Sequence, residues 1–290
     1  LALAGDKEIV LRVDWNARGI VALESAFLQK IELRNLWKHF SQVHSSWELD
    51  GFTFLTVYFR PGPTLADCLN FVGTRRFSIG TAARLAGDVL QCVRHIHSLG
   101  YVARCLLPEL FHLDAAWRHL FMADISNIRI DPTSLGLPGT SWSGGSLYAP
   151  LSFHEKDAEG KPVTLTRGDE LQAWFFMFIH MVQGELPWDS CRDSEVAELK
   201  KTANVLPKKF ESDAWVAIQD KVNAAAGVAI VDASVYTDIG KLLQKLAEEA
   251  GVTSDDDNYD FEREPTEEEL PRFVLEKRDA VPTIKEEEEE

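Results

Sequence analysis

Three things are scarce in this 290-residue chain: cysteine, long apolar runs and clustered positive charge. The four cysteines, Cys68, Cys92, Cys105 and Cys191, show no CxxC spacing, so neither a zinc signature nor a disulfide-rich scaffold is present. Scattered thiols suit a reducing compartment, and the expected location is the cytoplasm, with the nucleus as the alternative. The longest apolar stretch, Leu171 to Val182, is interrupted by Gln172 and His180; it is about twelve residues long against the roughly 20 needed to span a bilayer. No membrane partner is expected. The opening residues LALAGDKEIV lack a basic start and a long apolar run, so they do not read as a signal peptide. They open directly in what reads as a strand, which suggests a truncated start.

Charge is abundant, with an excess of the negative sign. The chain has 46 acidic and 30 basic residues, a formal net charge of −16. From Ser254 to Glu290 there are 16 acidic and 5 basic residues, so most of the excess belongs to the C-terminal end. The body is mildly acidic, which argues against nucleic acid as a partner, because phosphate binding needs clustered Lys and Arg. The stretch from Ser254 on, ending in five glutamates, is too polar to offset ordering entropy and is expected to be a disordered acidic tail.

What is present has a clear order. Residues 1–60 read as strands around one helix. Ile9–Val13 is a short apolar strand, Ala22–His39 carries apolar residues at roughly helical spacing, and Phe52–Phe59 is a β-rich run. Arg60-Pro61-Gly62-Pro63 breaks the pattern. Beyond it the chain turns helical. Thr81–Leu99 is a long helical pattern ending at Gly100, a residue suited to a C-terminal cap. Strand-like pieces follow at Leu110–Leu113 and His119–Ala123, then a Gly-, Ser- and Pro-rich loop from Asp131 to Gly145. Glu170–Gln183 is apolar almost all round, as a helix at the centre of a domain would be. Two more helical patterns lie near 212–225 and 235–250. The expected units are 1–60, 61–253 and the tail 254–290.

Particular residues carry a resemblance. The segment Gly100-Tyr101-Val102-Ala103-Arg104-Cys105-Leu106-Leu107-Pro108-Glu109-Leu110-Phe111 is similar to the catalytic loop of protein kinases, above all the casein kinase 1 superfamily with its tau-tubulin kinases. Ala123-Asp124-Ile125-Ser126 falls where that family has Asp-Phe-Gly. Gly62-Pro63-Thr64-Leu65, Gly144–Pro150, Asp169–Phe176 and Gly184-Glu185-Leu186-Pro187-Trp188 match further family segments in order. Tyr259-Asp260-Phe261-Glu262 resembles the Tyr-Asp-Trp-Glu that closes many nematode members. Together the matches span about residues 1–262. The resemblance implies an α+β, bilobal protein-kinase-like fold, with a small β-rich N-lobe lacking its first strand and glycine loop, and a larger helical C-lobe.

The same alignment shows the reactive positions replaced. No glycine-rich phosphate loop occurs in the chain. The strand lysine falls on Arg12 and its helix partner on Glu24; the two either form an ion pair or sit as solvated surface groups. An Arg fork need not hold phosphates as a lysine does. The loop histidine is Ala103, and Arg104 is retained. The catalytic aspartate is Cys105, whose thiol, with an ordinary pKa of about 8.5, is a poor substitute for a carboxylate. It reads as an inert, partly buried thiol, or as a reactive one if Arg104 lowers its pKa. The lysine that supports the transferred phosphate is Leu107. The magnesium-binding Asn is Leu110, which offers no oxygen. Asp124 keeps the metal-binding carboxylate and is either a residual metal ligand or a loop cap. Glu170 replaces the shorter Asp that braces the loop, which puts that bracing in question. His95 and His97 read as packing or surface residues.

The expectation is therefore a pseudokinase that binds protein partners. No cofactor is expected; ATP and magnesium would bind weakly. A weak serine/threonine kinase using Asp124 is the alternative, and a scaffold acting through the acidic tail is a third.

Overall fold

The computed structural model describes residues 2–4, 7–60, 62–114, 116–133, 140–156, 159–203, 205–207, 211–254 and 257–262. Strands β1 (Ala2–Ala4), β2 (Lys7–Trp15), β3 (Val43–Leu49) and β4 (Phe52–Tyr58) form one antiparallel sheet in the order β1-β2-β4-β3. The alternation of β2 puts Arg12 and Asp14 on one face and Leu11, Val13 and Trp15 on the other. Helix α1 (Ile20–Leu33) packs on the first of these faces, burying Phe27, Leu28 and Ile31 with Leu55 and Val57 of β4. Gly19, in the left-handed region at φ 68°, turns the chain into α1, and the Asp14 carboxylate accepts the first helical N–H, from Ile20, at 3.0 Å.

Helix α1 is shorter than its apolar spacing predicts. It stops at Leu33 because Asn35 adopts a left-handed conformation (φ 56°) and Leu36 N–H turns back to the Ile31 carbonyl. Trp37–His39 is then a separate single turn. Strand β3 was not expected at all.

The second lobe is helical. Helix α2 (Leu65–Phe71) begins with a capping box: Thr64 Oγ1 and the Asp67 carboxylate each accept the other's backbone N–H at 2.9 Å. Helix α3 (Ile79–Ser98) ends where Gly100 takes φ 82°. Two small hairpin-like pairs follow, β5 (Tyr101–Val102) with β8 (Arg129–Ile130), and β6 (Phe111–Leu113) with β7 (Leu120–Met122). Helix α4 (Arg167–Gln183) is the axis of the lobe: fourteen of its 17 residues are buried, so neighbours must surround it. Helices α3 and α6 (Asp213–Ala225) pack directly on α4, and α7 (Ala233–Glu249) packs on α3 and α6. Gly168 allows the α6 end to approach so closely that a Cβ there would lie 1.6 Å from the Ala225 carbonyl oxygen. Helix α5 (Asp193–Thr202) buries only Val196 and Lys200. No helix among the described residues is long and apolar enough to cross a membrane.

The boundary expected at Ser254 needs correction. Residues 257–262 are docked on the helical lobe. Tyr259 and Phe261 are buried, the Asp260 carboxylate accepts the Ser78 hydroxyl at 2.9 Å, and Glu262 pairs with Arg118 at 2.8 Å. Residues 263–290, the rest of the expected tail, lie outside the described residues.

Candidate functional site

The site is built where the loop between β5 and β6 meets α4 and the sheet lobe. Its deepest element is Glu170, fully buried in the first turn of α4. Its carboxylate accepts the backbone N–H of Ala103 at 3.0 Å and of Arg104 at 2.5 Å, and pairs with His97 Nε2 at 2.7 Å. The opposite ring nitrogen, His97 Nδ1, lies 2.5 Å from the Tyr236 hydroxyl. Burial and the nearby Glu170 charge push the Tyr236 phenol well up, so it keeps its proton and donates to Nδ1, which leaves Nε2–H for the carboxylate. The longer side chain thus does brace the loop. His97 acts as its second support and is more than a packing residue. The signal for this lay in the helix: His97 stands four residues after Val93, on the buried stripe of α3, where a polar ring needs a partner.

The brace holds a strained backbone. Arg104 sits at φ 65°, uncommon for a residue with a side chain. It is pinned from three sides: its N–H by Glu170, its carbonyl by Ser143 N–H at 2.8 Å, and its Nε by the Ser141 carbonyl at 2.8 Å. The guanidinium is therefore committed to the loop around 141–143.

The reactive positions face inward. Ala103, Cys105 and Leu110 all belong to the hydrophobic core, and Leu107 packs against it. Burial, with Asp124, Glu170 and Glu109 nearby, pushes the Cys105 thiol up to about 11. The neighbouring Arg104 charge is the smallest influence and does not reverse this, so the burial and charges around Cys105 support the inert-thiol reading. Leu110 offers only its backbone carbonyl, which accepts Ala123 N–H at 2.9 Å.

The sheet lobe contributes Arg12 and Glu24, and they do form an ion pair. The second arm of the Arg12 fork donates to the Ala123 carbonyl at 2.6 Å, across to the segment before Asp124. The solvated reading of the two groups is thereby removed. Glu24 is almost fully buried, and burial raises its pKa more than Arg12 lowers it. Asp124 lies near both Glu24 and Cys105, but it is exposed, and its Oδ1 accepts Ser126 N–H at 2.9 Å, a local loop cap. Among the described residues no group of three His, Cys, Asp or Glu could hold a metal ion. The arrangement brings Arg12, Glu24 and Asp124 together between the sheet lobe and the loop, with Arg12 and Glu24 engaged by the protein and Asp124 exposed and capping its own loop.

No protein-family model matches the chain. Over 214 residues it is 27% identical to the piRNA biogenesis factor prde-1 of Caenorhabditis elegans, covering 69% of this chain and 40% of that protein. Over 198 residues it is 26% identical to a putative casein kinase I of the same organism, covering 65% of this chain and 55% of that one. The chain thus matches about half, or less, of the length of these relatives. Among solved structures it is similar to vaccinia related kinase 3, with a TM-score of 0.66 and 16% identity over 84% of this chain and 81% of that chain. The fold is a protein-kinase fold with a small sheet lobe and a helical lobe, and distant relatives in sequence are casein kinase I-like and other kinase-like proteins.

Proposed function

We propose that this chain is a casein kinase 1-like pseudokinase, of the nematode type, which serves as a protein-binding or regulatory module. One observation carries the reading: the positions that would act on the substrate hydroxyl, phosphate and metal are occupied by Cys105, Leu107 and Leu110, side chains in the hydrophobic core or packed against it. Phosphoryl transfer depends on positioned charge and a positioned base. A thiol pushed up to about 11 is not ionised near neutral pH and does not orient a hydroxyl as a carboxylate does. The ion pair of Arg12 with Glu24 is compatible with a working kinase, but the second arm of the fork is engaged by the Ala123 carbonyl rather than left for phosphate. A relative named for a role in piRNA biogenesis is compatible with this reading. A cytoplasmic location and unidentified protein partners belong to the same proposal.

The test is a thermal shift with millimolar ATP, with and without magnesium, followed by transfer to an acidic casein-like substrate. No shift and no transfer are expected. A ligand that binds only the native state must raise its stability. Transfer near the roughly 1–100 per second of working kinases, lost on Asp124→Ala, would favour the weak-kinase alternative and reject ours.

A further inference from the structure

The outer face of the sheet, opposite α1, is unusual for an antiparallel sheet. Such sheets commonly pack one face on a core and wet the other with polar residues. Here the wet face carries Leu11, Val13 and Trp15 of β2, Trp47 and Leu49 of β3, and Phe52 of β4. Register makes them contiguous: Trp15 and Leu49 both lie opposite Phe52, while Val13 and Trp47 both lie opposite Phe54. Trp47 stacks on Phe54 with ring centroids 5.1 Å apart and planes 4° apart. Trp15 is 58% exposed and Leu49 56%. Lys7, at the far end of β2, is the charged residue whose alternation puts it on this face. Strand β3 also ends the sheet order, so its outer edge pairs with no further strand among the described residues.

We infer that this face is a self-association surface: a second copy of the chain packs its own outer sheet face against it about a two-fold axis. Two features select a second copy. The first is area. Aromatic side chains offer about 150–250 Å² each, so the exposed fractions sum to on the order of 600 Å² per copy. Two such faces together reach about 1,200 Å², at the lower end of stable protein interfaces. A two-fold contact needs one patch that complements itself, and a mostly apolar face with Lys7 at its far end does. The second feature is charge. The chain carries −16 in total, which opposes self-association, but residues 7–60 hold seven basic and six acidic residues. In this near-neutral lobe two copies can meet with little of that repulsion. Face-to-face packing of the sheets leaves the opposite face, with Arg12 and Glu24, uncovered by the partner. The inference does not depend on whether the chain transfers phosphate.

Light scattering after size-exclusion chromatography of the full chain, loaded from about 1 to about 100 µM, tests this. A mass that rises with concentration from 32.6 kDa toward twice that value is expected. Trp15→Ser with Leu49→Ser should hold the mass at one copy while leaving the urea midpoint of the isolated monomer unchanged. Val216→Ser with Ile230→Ser, exposed apolar positions on the helical lobe, should leave the dimer intact. One copy at every concentration overturns the inference, as does a dimer indifferent to the sheet substitutions. A one-copy chain that dimerises only once residues 263–290 are removed would assign the face to that segment and likewise overturn it.

Discussion

Glu170 is the most consequential single residue in the site, and its removal can be reasoned through. In Glu170→Ala the backbone N–H groups of Ala103 and Arg104 and the ring of His97 all lose their acceptor in a region closed to water. A buried donor left unsatisfied costs about 1–3 kcal/mol. Three of them exceed what is recovered by no longer burying a carboxylate. Breaking a buried pair by removing one partner typically costs about 3–5 kcal/mol, and that is the expected loss. With a urea dependence of about 3 kcal/mol per molar, the midpoint should fall by roughly 1 M or slightly more. The cycle with His97→Ala separates bracing from general damage. If the carboxylate and the imidazole support each other, the double variant should lose less than the two singles together, by about 0.5–3 kcal/mol. Urea curves followed by tryptophan fluorescence supply all four numbers. A loss under about 1 kcal/mol for Glu170→Ala, or strict additivity with His97→Ala, would refute the claim that this carboxylate organises the loop.

Other outcomes follow from the same contacts. Arg12→Met should cost about 3–5 kcal/mol by stranding the buried Glu24 carboxylate, and adding Glu24→Leu should recover much of that; equal midpoints for the single and double variants would contradict it. His95 has its pKa lowered to about 4 by burial and by the neighbouring His39 and Arg94 charges, so between about pH 6.5 and 4 the unfolded chain binds its proton more readily than the folded one. Stability should therefore fall as pH drops through that window, by at most about 1.4 kcal/mol per pH unit from this residue, and urea midpoints at several pH values should show a shallower fall in His95→Gln. Of the four thiols, only the partly exposed Cys191 should react with a disulfide reagent at pH 8 in the native state, while all four should react in denaturant; rapid labelling of Cys105 would contradict its burial. Gly168→Ala should destabilise by more than the usual surface change, because its Cβ would fall on the Ala225 carbonyl with only backbone to give way.

The parts of the fold legible in the sequence were those where burial writes a period. Helices α3, α4, α6 and α7 announce themselves through apolar stripes, and their ends lie within a few residues of the expected ones. Strand β3, with the sequence VHSSWEL, is an edge strand whose residues are almost all exposed, so no alternation between core and solvent marks it. Helix α5 has the same difficulty, with two buried residues in ten. Helix α2 did carry a signal, the Thr64-x-x-Asp67 capping box, in a segment too short for a period. Within the site, side chains fixed by sequence position were legible: Arg12, Glu24, Cys105, Leu110 and Asp124. Contacts made by backbone were not. Neither the Ala123 carbonyl that receives Arg12 nor the Ser141 carbonyl that receives Arg104 has a residue-type signature. Tyr259-Asp260-Phe261-Glu262 was legible as a motif match, but the acidic composition around it masked that the segment docks on the helical lobe.

The Arg12 fork also bears on motion. One arm ends on the helix that travels with the sheet, the other on a carbonyl that belongs to the helical lobe. A phosphotransferase has to breathe, opening to exchange nucleotide and closing to react on every turnover. Here each opening must break a charge-assisted hydrogen bond and leave a guanidinium and a carbonyl to be resolvated. That contact favours one angle between the lobes over others. A molecule that presents the same outline continuously gives up little conformational freedom when a partner docks across both lobes. What hinders a catalytic cycle is, for a docking platform, pre-arrangement.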